Sequence, residues 1–149
     1  MTVVVDSGVF YAQADRGAGR HDTAVTAVST ILRGEHGQPY VTDYIYDETV
    51  TLTLTRTDSH AEAMRVGRRL RGDGDFPELF QLRNLSNAVF EAAVDIFERY
   101  DDQQLSFTDA TTVAFTETHD IDTVLSFDDD FDGLVDRTDP GDLAREHNP

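Results

Sequence analysis

The feature that most constrains this chain is an alternation of short apolar runs, several of them stopped by a polar residue, with segments of helical period. Thr2–Val5 is β-branched throughout and stops at Asp6, the pattern of a strand buried on both faces. After a turn at 17–20, residues 23–32 place Ala24, Val25, Val28, Ile31 and Leu32 at helical spacing, with Gly34 as terminator. Residues 39–41 predict a second strand, followed by a helix capped by Thr42 or Asp43 and running to about Arg56. A helix over 60–70 is closed by the turn at 72–74. Residues 79–82 predict a third strand, and Ser86 caps a helix whose core face is Val89, Phe90, Ala93, Ile96 and Phe97. Residues 108–119 predict a further helix with Ala110, Val113 and Ala114 inward. Residues 123–127 predict a strand and 133–135 a last short one. Strands alternating with helices argue for a single α/β domain, a parallel sheet of about four or five strands flanked by helices.

The 149 residues carry no internal repeat, and the domain is expected to span 1–137. Pro140, Gly141 and Pro149 mark 138–149 as a mobile C-terminal tail. With no Cys, disulfide frameworks, thiolate zinc sites and cysteine nucleophiles are excluded. No apolar run is long enough to cross a bilayer and the amino end lacks a basic flank, so a cytoplasmic protein with no membrane partner is expected.

All twelve cations are Arg, against 29 acids of which 21 are Asp, for a net charge of −17. The regular apolar spacing separates this chain from acidic disordered ones. The balance resembles that of proteins from salt-in halophiles, whose carboxylate-rich surfaces stay hydrated in concentrated KCl; an acidic protein that simply avoids nucleic acid is the plainer alternative.

Ligands of parallel α/β sheets bind beyond the carboxyl ends of the strands. Asp6 and Asp128 fall directly after two predicted strands, and Glu48 and Asp109 early in two predicted helices. With Ser106 as cap, Asp109 lies in the first helical turn, where the macrodipole favours its ionised form. Carboxylates converging to 4 Å repel by roughly 4 kcal/mol at an effective dielectric of 20. Such a cluster must hold protons, arginines or a cation. An all-oxygen set suits Mg²⁺ or Mn²⁺, which support phosphodiester hydrolysis. Taken singly, Asp6 could be a turn residue and Asp109 a capping acid.

The ordered set Val3-Val-Val-Asp-Ser-Gly8, Asp47-Glu-Thr49, Leu105-Ser-Phe-Thr-Asp-Ala110 and Val124-Leu-Ser-Phe-Asp-Asp-Asp-Phe131 resembles the PIN-domain ribonucleases, particularly the VapC-like toxins of toxin–antitoxin pairs. The resemblance spans about residues 2–136. It implies an acidic quartet of Asp6, Glu48, Asp109 and Asp128 that is catalytic and metal-binding, with Asp130 able to share or replace the fourth role. It also implies support from Ser7, Thr108 and Ser126. The implied activity is Mg²⁺- or Mn²⁺-dependent endonucleolytic cleavage of RNA leaving 5′-phosphate ends, by a homodimer inhibited by a small antitoxin that occupies the cleft. A housekeeping RNA-processing nuclease and a catalytically inactive binding module of the same fold are the alternatives.

Arg65, Arg68 and Arg69 recur at helical spacing and form a candidate RNA-binding stripe, or else a solvated face paired with Glu62. The five His are scattered without metal-ligand spacing, and Tyr44 and Tyr46 suit packing better than base stacking. A chain without Lys has no phosphate-binding P-loop, and it lacks the Lys that balances charge in phosphoacceptor domains.

Overall fold

Val3, Val4 and Val5 are fully buried, and the strand they form, β1 (Thr2–Val5), is the middle one of a five-stranded parallel sheet. Burying each such side chain contributes roughly 1.5–3 kcal/mol. A computed structural model describes the backbone of residues 1–147 and the side chains of residues 1–146. The remaining elements are α1 (Ser7–Ala14), α2 (His21–Leu32), β2 (Gln38–Thr42), α3 (Asp43–Thr57), α4 (His60–Arg71), β3 (Gln81–Arg83), α5 (Asn87–Arg99), α6 (Phe107–Thr118), β4 (Thr123–Leu125), β5 (Arg137–Thr138) and α7 (Pro140–His147), with a 3₁₀ turn at Asp129–Phe131. Strand order is β3-β2-β1-β4-β5, so the connections reverse direction between β1 and β4. A crevice opens where that reversal occurs, and the residues just past both strands face it. Val5 pairs with Leu125, and Asp6 N–H continues the ladder to the Leu125 carbonyl at 3.0 Å.

Helix starts follow the sequence closely. Thr42, Ser86 and Ser106 accept from the backbone N–H three residues on, capping α3, α5 and α6. Residues 49–57 of α3 alternate Thr with other residues, which by itself would suit a strand. They stay helical with the hydroxyls of Thr49, Thr53, Thr55 and Thr57 donating back to carbonyls four residues earlier, at 2.6–2.8 Å.

Several expectations are corrected. The segment after Asp6, for which the sequence predicts no element, is α1; its Val9, Phe10, Tyr11 and Ala12 are all buried, so no polar face betrays a helical period. Strand β4 ends at Leu125 rather than 127, because Ser126 turns to accept the Asp128 N–H. No strand forms at 133–135, where Gly133 adopts φ +88° (left-handed region); the last strand is β5, beside β4. Phe90 and Phe97 leave the core face of α5 and meet Phe107 edge-to-face at 5.6 and 5.9 Å, each still more than a third exposed.

The expected tail also departs from expectation in its described part. Residues 137–138 complete the sheet, and α7 packs on α2 with Leu143 buried in the core. Pro149 and the His147 side chain lie outside the described residues. Among the described residues no helix is long and apolar enough to cross a membrane.

Candidate metal centre

Three elements that meet at the β1/β4 crevice each deliver one carboxylate. Asp6 ends β1 and caps α1, Glu48 sits in α3, and Asp109 sits in the first turn of α6. One oxygen from each lies within 4.8 Å of the others. They stand in a cleft of about 880 Å³, with Asp128 and Asp129 on its wall. Glu48, Leu52 and Arg56 recur every fourth residue of α3, so one helical face lines the cleft.

Each carboxylate is held. Ser7 N–H donates to Asp6 Oδ1 at 2.9 Å and Ser126 Oγ donates to Asp6 Oδ2 at 2.7 Å. Ser7 Oγ donates to Glu48 Oε1. Asp109 and Ser106 exchange hydrogen bonds in a capping box, Ser106 N–H to Asp109 Oδ2 at 3.2 Å and Asp109 N–H to Ser106 Oγ at 3.0 Å. Arg137 fixes the other side of Ser126. Its Nη1 donates to the Ser126 carbonyl at 3.0 Å, while Nε and Nη2 grip Asp132 at 2.8 and 3.1 Å. That bidentate pair braces the turn carrying Ser126 and Asp128.

Crowding shows in the proton affinities. Burial pushes Asp6 up from 3.8 to about 7 against the Ser126 hydrogen bond, with Asp109 and Glu48 adding to the rise. Asp109 is pushed to about 6, again first by burial, with Ser106 opposing and Glu48 and Asp128 contributing. An all-oxygen, partly protonated cluster of this kind fits a hard divalent cation, which would displace the protons and relieve the repulsion.

The four expected acids therefore split three and one. Asp128 faces the cleft but groups with Asp129 and Asp130, whose carboxylates also lie within 4.8 Å of one another. Asp130 does not line the cleft; its N–H donates to Asp128 Oδ1 at 2.9 Å. Ser7 and Ser126 touch the carboxylates directly. Thr108 does not: it lies off the cleft, its carbonyl accepting from Thr111 and Thr112, and Ser106 occupies the supporting place. Of the arginine stripe, Arg65 and Arg69 line a separate hollow and Arg68 does not. Tyr44 packs on Phe107 at 6.0 Å, and neither Tyr44 nor Tyr46 lines the cleft. Among the described residues no histidine joins a group of potential metal ligands.

Two cleft residues escaped the sequence. Arg20 lies 4.7 Å above the Phe127 ring and Arg56 4.7 Å above the Tyr11 ring, setting two guanidinium groups beside the carboxylates. Arg20 comes from a turn without periodicity or motif, whereas Arg56 lies two turns beyond Glu48 on the same face of α3, a spacing that could have pointed to it.

A family model described as the PIN domain matches residues 3–135. No curated protein matches the sequence. Among solved structures, VapC20 of Mycobacterium tuberculosis, a Sarcin-Ricin loop cleaving toxin, superposes with TM-score 0.71 at 25% identity over 87% of this chain and 92% of its own. The FitAcB structure from Neisseria gonorrhoeae gives 0.65 at 15% identity, over 93% and 97%. VapBC2 of Rickettsia felis, bound to a DNA fragment from its promoter, gives 0.66 at 6% identity, over 93% and 98%. The last two show likeness of fold alone.

Proposed function

The chain belongs to the PIN-domain family, and from that premise we propose that it is a Mg²⁺- or Mn²⁺-dependent endoribonuclease, the toxin of a toxin–antitoxin pair. The observation that carries the reading is the convergence of Asp6, Glu48 and Asp109 from three elements at the sheet's reversal point. These three would hold the ion, with Asp128 contributing from the wall. The chemistry supplied by a divalent ion in such a set is charge neutralisation at a phosphodiester and acidification of water. The protein's own part is preorganisation. Ser126 and Ser7 orient the Asp6 and Glu48 oxygens before substrate arrives, and Arg20 and Arg56 offer donors to phosphate oxygens at the cleft rim.

The toxin reading draws on the likeness to VapC20, whose own described target is the Sarcin-Ricin loop. It entails a homodimer acting in the cytoplasm and a small antitoxin that places an Arg among the carboxylates. The −17 charge we read as adaptation to concentrated salt. Purified protein should cleave RNA only with Mg²⁺ or Mn²⁺ present and lose that activity to EDTA. Metal-independent cleavage, or no Mn²⁺ binding at the cluster, would sink the assignment. Co-expression with the neighbouring open reading frames followed by light scattering tests the dimer and antitoxin; a monomer without a small companion favours the housekeeping nuclease.

A further inference from the structure

A second hollow, of about 170 Å³, lies behind the turn that walls the cleft. Arg16 and His21 line it from the 15–20 turn and the start of α2, Gln13 from α1, and Glu62, Arg65 and Arg69 from α4. Its charge runs against the whole molecule: three guanidinium groups face one carboxylate, in a chain of net charge −17. Arg65 and Arg69 stand one turn apart on one helical face and repel each other. Burial first, and Arg65 second, hold the Arg69 guanidinium below its ordinary proton affinity. Phe76 packs against Arg69 at 5.3 Å.

Among the described residues Arg71, Arg137 and Arg145 form ion pairs within 4.0 Å, whereas Arg16, Arg65 and Arg69 form none. Glu62 alone opposes the three guanidinium groups, of which Arg16 and Arg65 are exposed and Arg69 half-buried, so the hollow keeps a local positive excess that a bound anion would neutralise. The amino end of α2, which has no side-chain cap, starts at the same wall and adds partial positive charge.

Resting on the nuclease reading above, we infer that the hollow between α1, α2 and α4 is a subsite for one backbone phosphate of an RNA strand whose scissile bond lies in the acidic cleft. The two cavities share a wall. Tyr11 and Ala12 of α1 face the cleft while Gln13 faces the hollow, and Ala18 and Arg20 of the turn face the cleft while Arg16 faces the hollow. A strand leaving the cleft past Arg20 and Arg56 meets Arg16, Arg65 and Arg69 next. A backbone phosphodiester brings a full negative charge and two non-bridging oxygens, each able to accept from more than one guanidinium group. The site is sequence-blind, setting where the strand lies and leaving the choice of target to other contacts.

The test uses the full chain carrying Asp6→Asn, so that RNA persists, and anisotropy of a labelled single-stranded RNA oligonucleotide across a KCl series. Adding Arg65→Gln with Arg69→Gln should weaken binding about tenfold at low salt and reduce the slope of log K against log salt by about 0.7, one phosphate contact on a single strand. Unchanged affinity and slope overturn the subsite. So does unchanged RNA binding accompanied by lost capture of an acidic antitoxin peptide, which would reassign the hollow to protein carboxylates. Circular dichroism checks folding of the double variant. If it fails to fold, Arg16→Gln, in an exposed turn, should still weaken binding and lower the slope, and a null result there counts equally against the proposal. The measurement involves no cleavage or metal. A parent protein that binds RNA with the expected slope yet neither binds Mn²⁺ nor cuts RNA would refute the catalytic reading while keeping the hollow as a backbone-phosphate site.

Discussion

The molecule carries two groups of three carboxylates side by side, and they behave differently. Asp128, Asp129 and Asp130 are consecutive residues on one turn. Asp6, Glu48 and Asp109 are separated by more than forty residues at each step and come from three elements. In the first group the chain itself enforces proximity; Asp129 is exposed, and the neighbouring Asp128 carboxylate, first among several causes, raises the proton affinity of Asp130. In the second, burial leaves Asp6 only 6% and Asp109 only 8% exposed, and their proton affinities rise to about 7 and about 6. Local acid density says little in a chain with 21 Asp. Convergence under burial, with a serine donor on each carboxylate, creates a charge demand that a proton or a cation must meet.

The largest expected contrast is catalytic. Asp6→Asn or Asp109→Asn should cut RNA cleavage about a thousandfold and abolish Mn²⁺ binding, a loss of roughly 4 kcal/mol in barrier terms. Asp129→Asn and Asp130→Asn should stay within about threefold of the parent, since neither belongs to the buried set. Equal losses from both groups would erase the distinction between them.

Stability against pH gives the next contrast. Between 3.8 and about 7 the folded chain keeps a proton on Asp6 that the unfolded chain has released, so metal-free stability falls as pH rises through that window. A tenfold difference in proton affinity between the folded and unfolded chain corresponds to about 1.4 kcal/mol. Asp6→Asn should therefore stabilise the metal-free protein by roughly 1–4 kcal/mol at mildly alkaline pH and flatten the fall, by urea melts at several pH values. Saturating Mn²⁺ should restore the parent's stability there. The exposed Asp129→Asn should shift it by less than about 0.5 kcal/mol.

Smaller effects probe the supports. Ser126→Ala removes the donor that opposes the rise on Asp6, so Mn²⁺ affinity should fall roughly 10–100-fold, with the pH needed for binding moving upward. Arg137→Gln loosens the turn behind Ser126 and should cost about tenfold. Isothermal titration at two pH values separates these from misfolding. Smallest is the effect of bulk salt. Screening shortens from a Debye length of roughly 10 Å at 0.1 M to 3 Å at 1 M, so stability should rise with KCl across the acidic surface generally. Circular dichroism melts that show no such rise would argue against salt adaptation.

Much of the molecule is legible along the chain. β-branched runs locate β1 and β4, Ser and Thr mark the starts of α3, α5 and α6, and Asp6, Glu48, Asp109 and Asp128 all line one cleft. The misses share a cause. Helix α1 is buried around most of its circumference and shows no amphipathic signal, and α7 is ordered by Leu143 docking from residues that read locally as turn formers. Ser106 rather than Thr108 supports Asp109, because adjacency in sequence is a poor guide to contact across a capped turn.

By itself, then, the sequence determined the alternating elements, the parallel sheet and which acids stand at its carboxyl edge, because those follow from period, caps and strand ends within short windows. Tertiary structure alone decided that three carboxylates close on one another while Asp128 stands apart. It alone brought Arg20 to the cleft and Arg16, Arg65 and Arg69 to a shared hollow. Burial and charge interaction depend on distances between elements far apart in the chain, and no local pattern of residues records them.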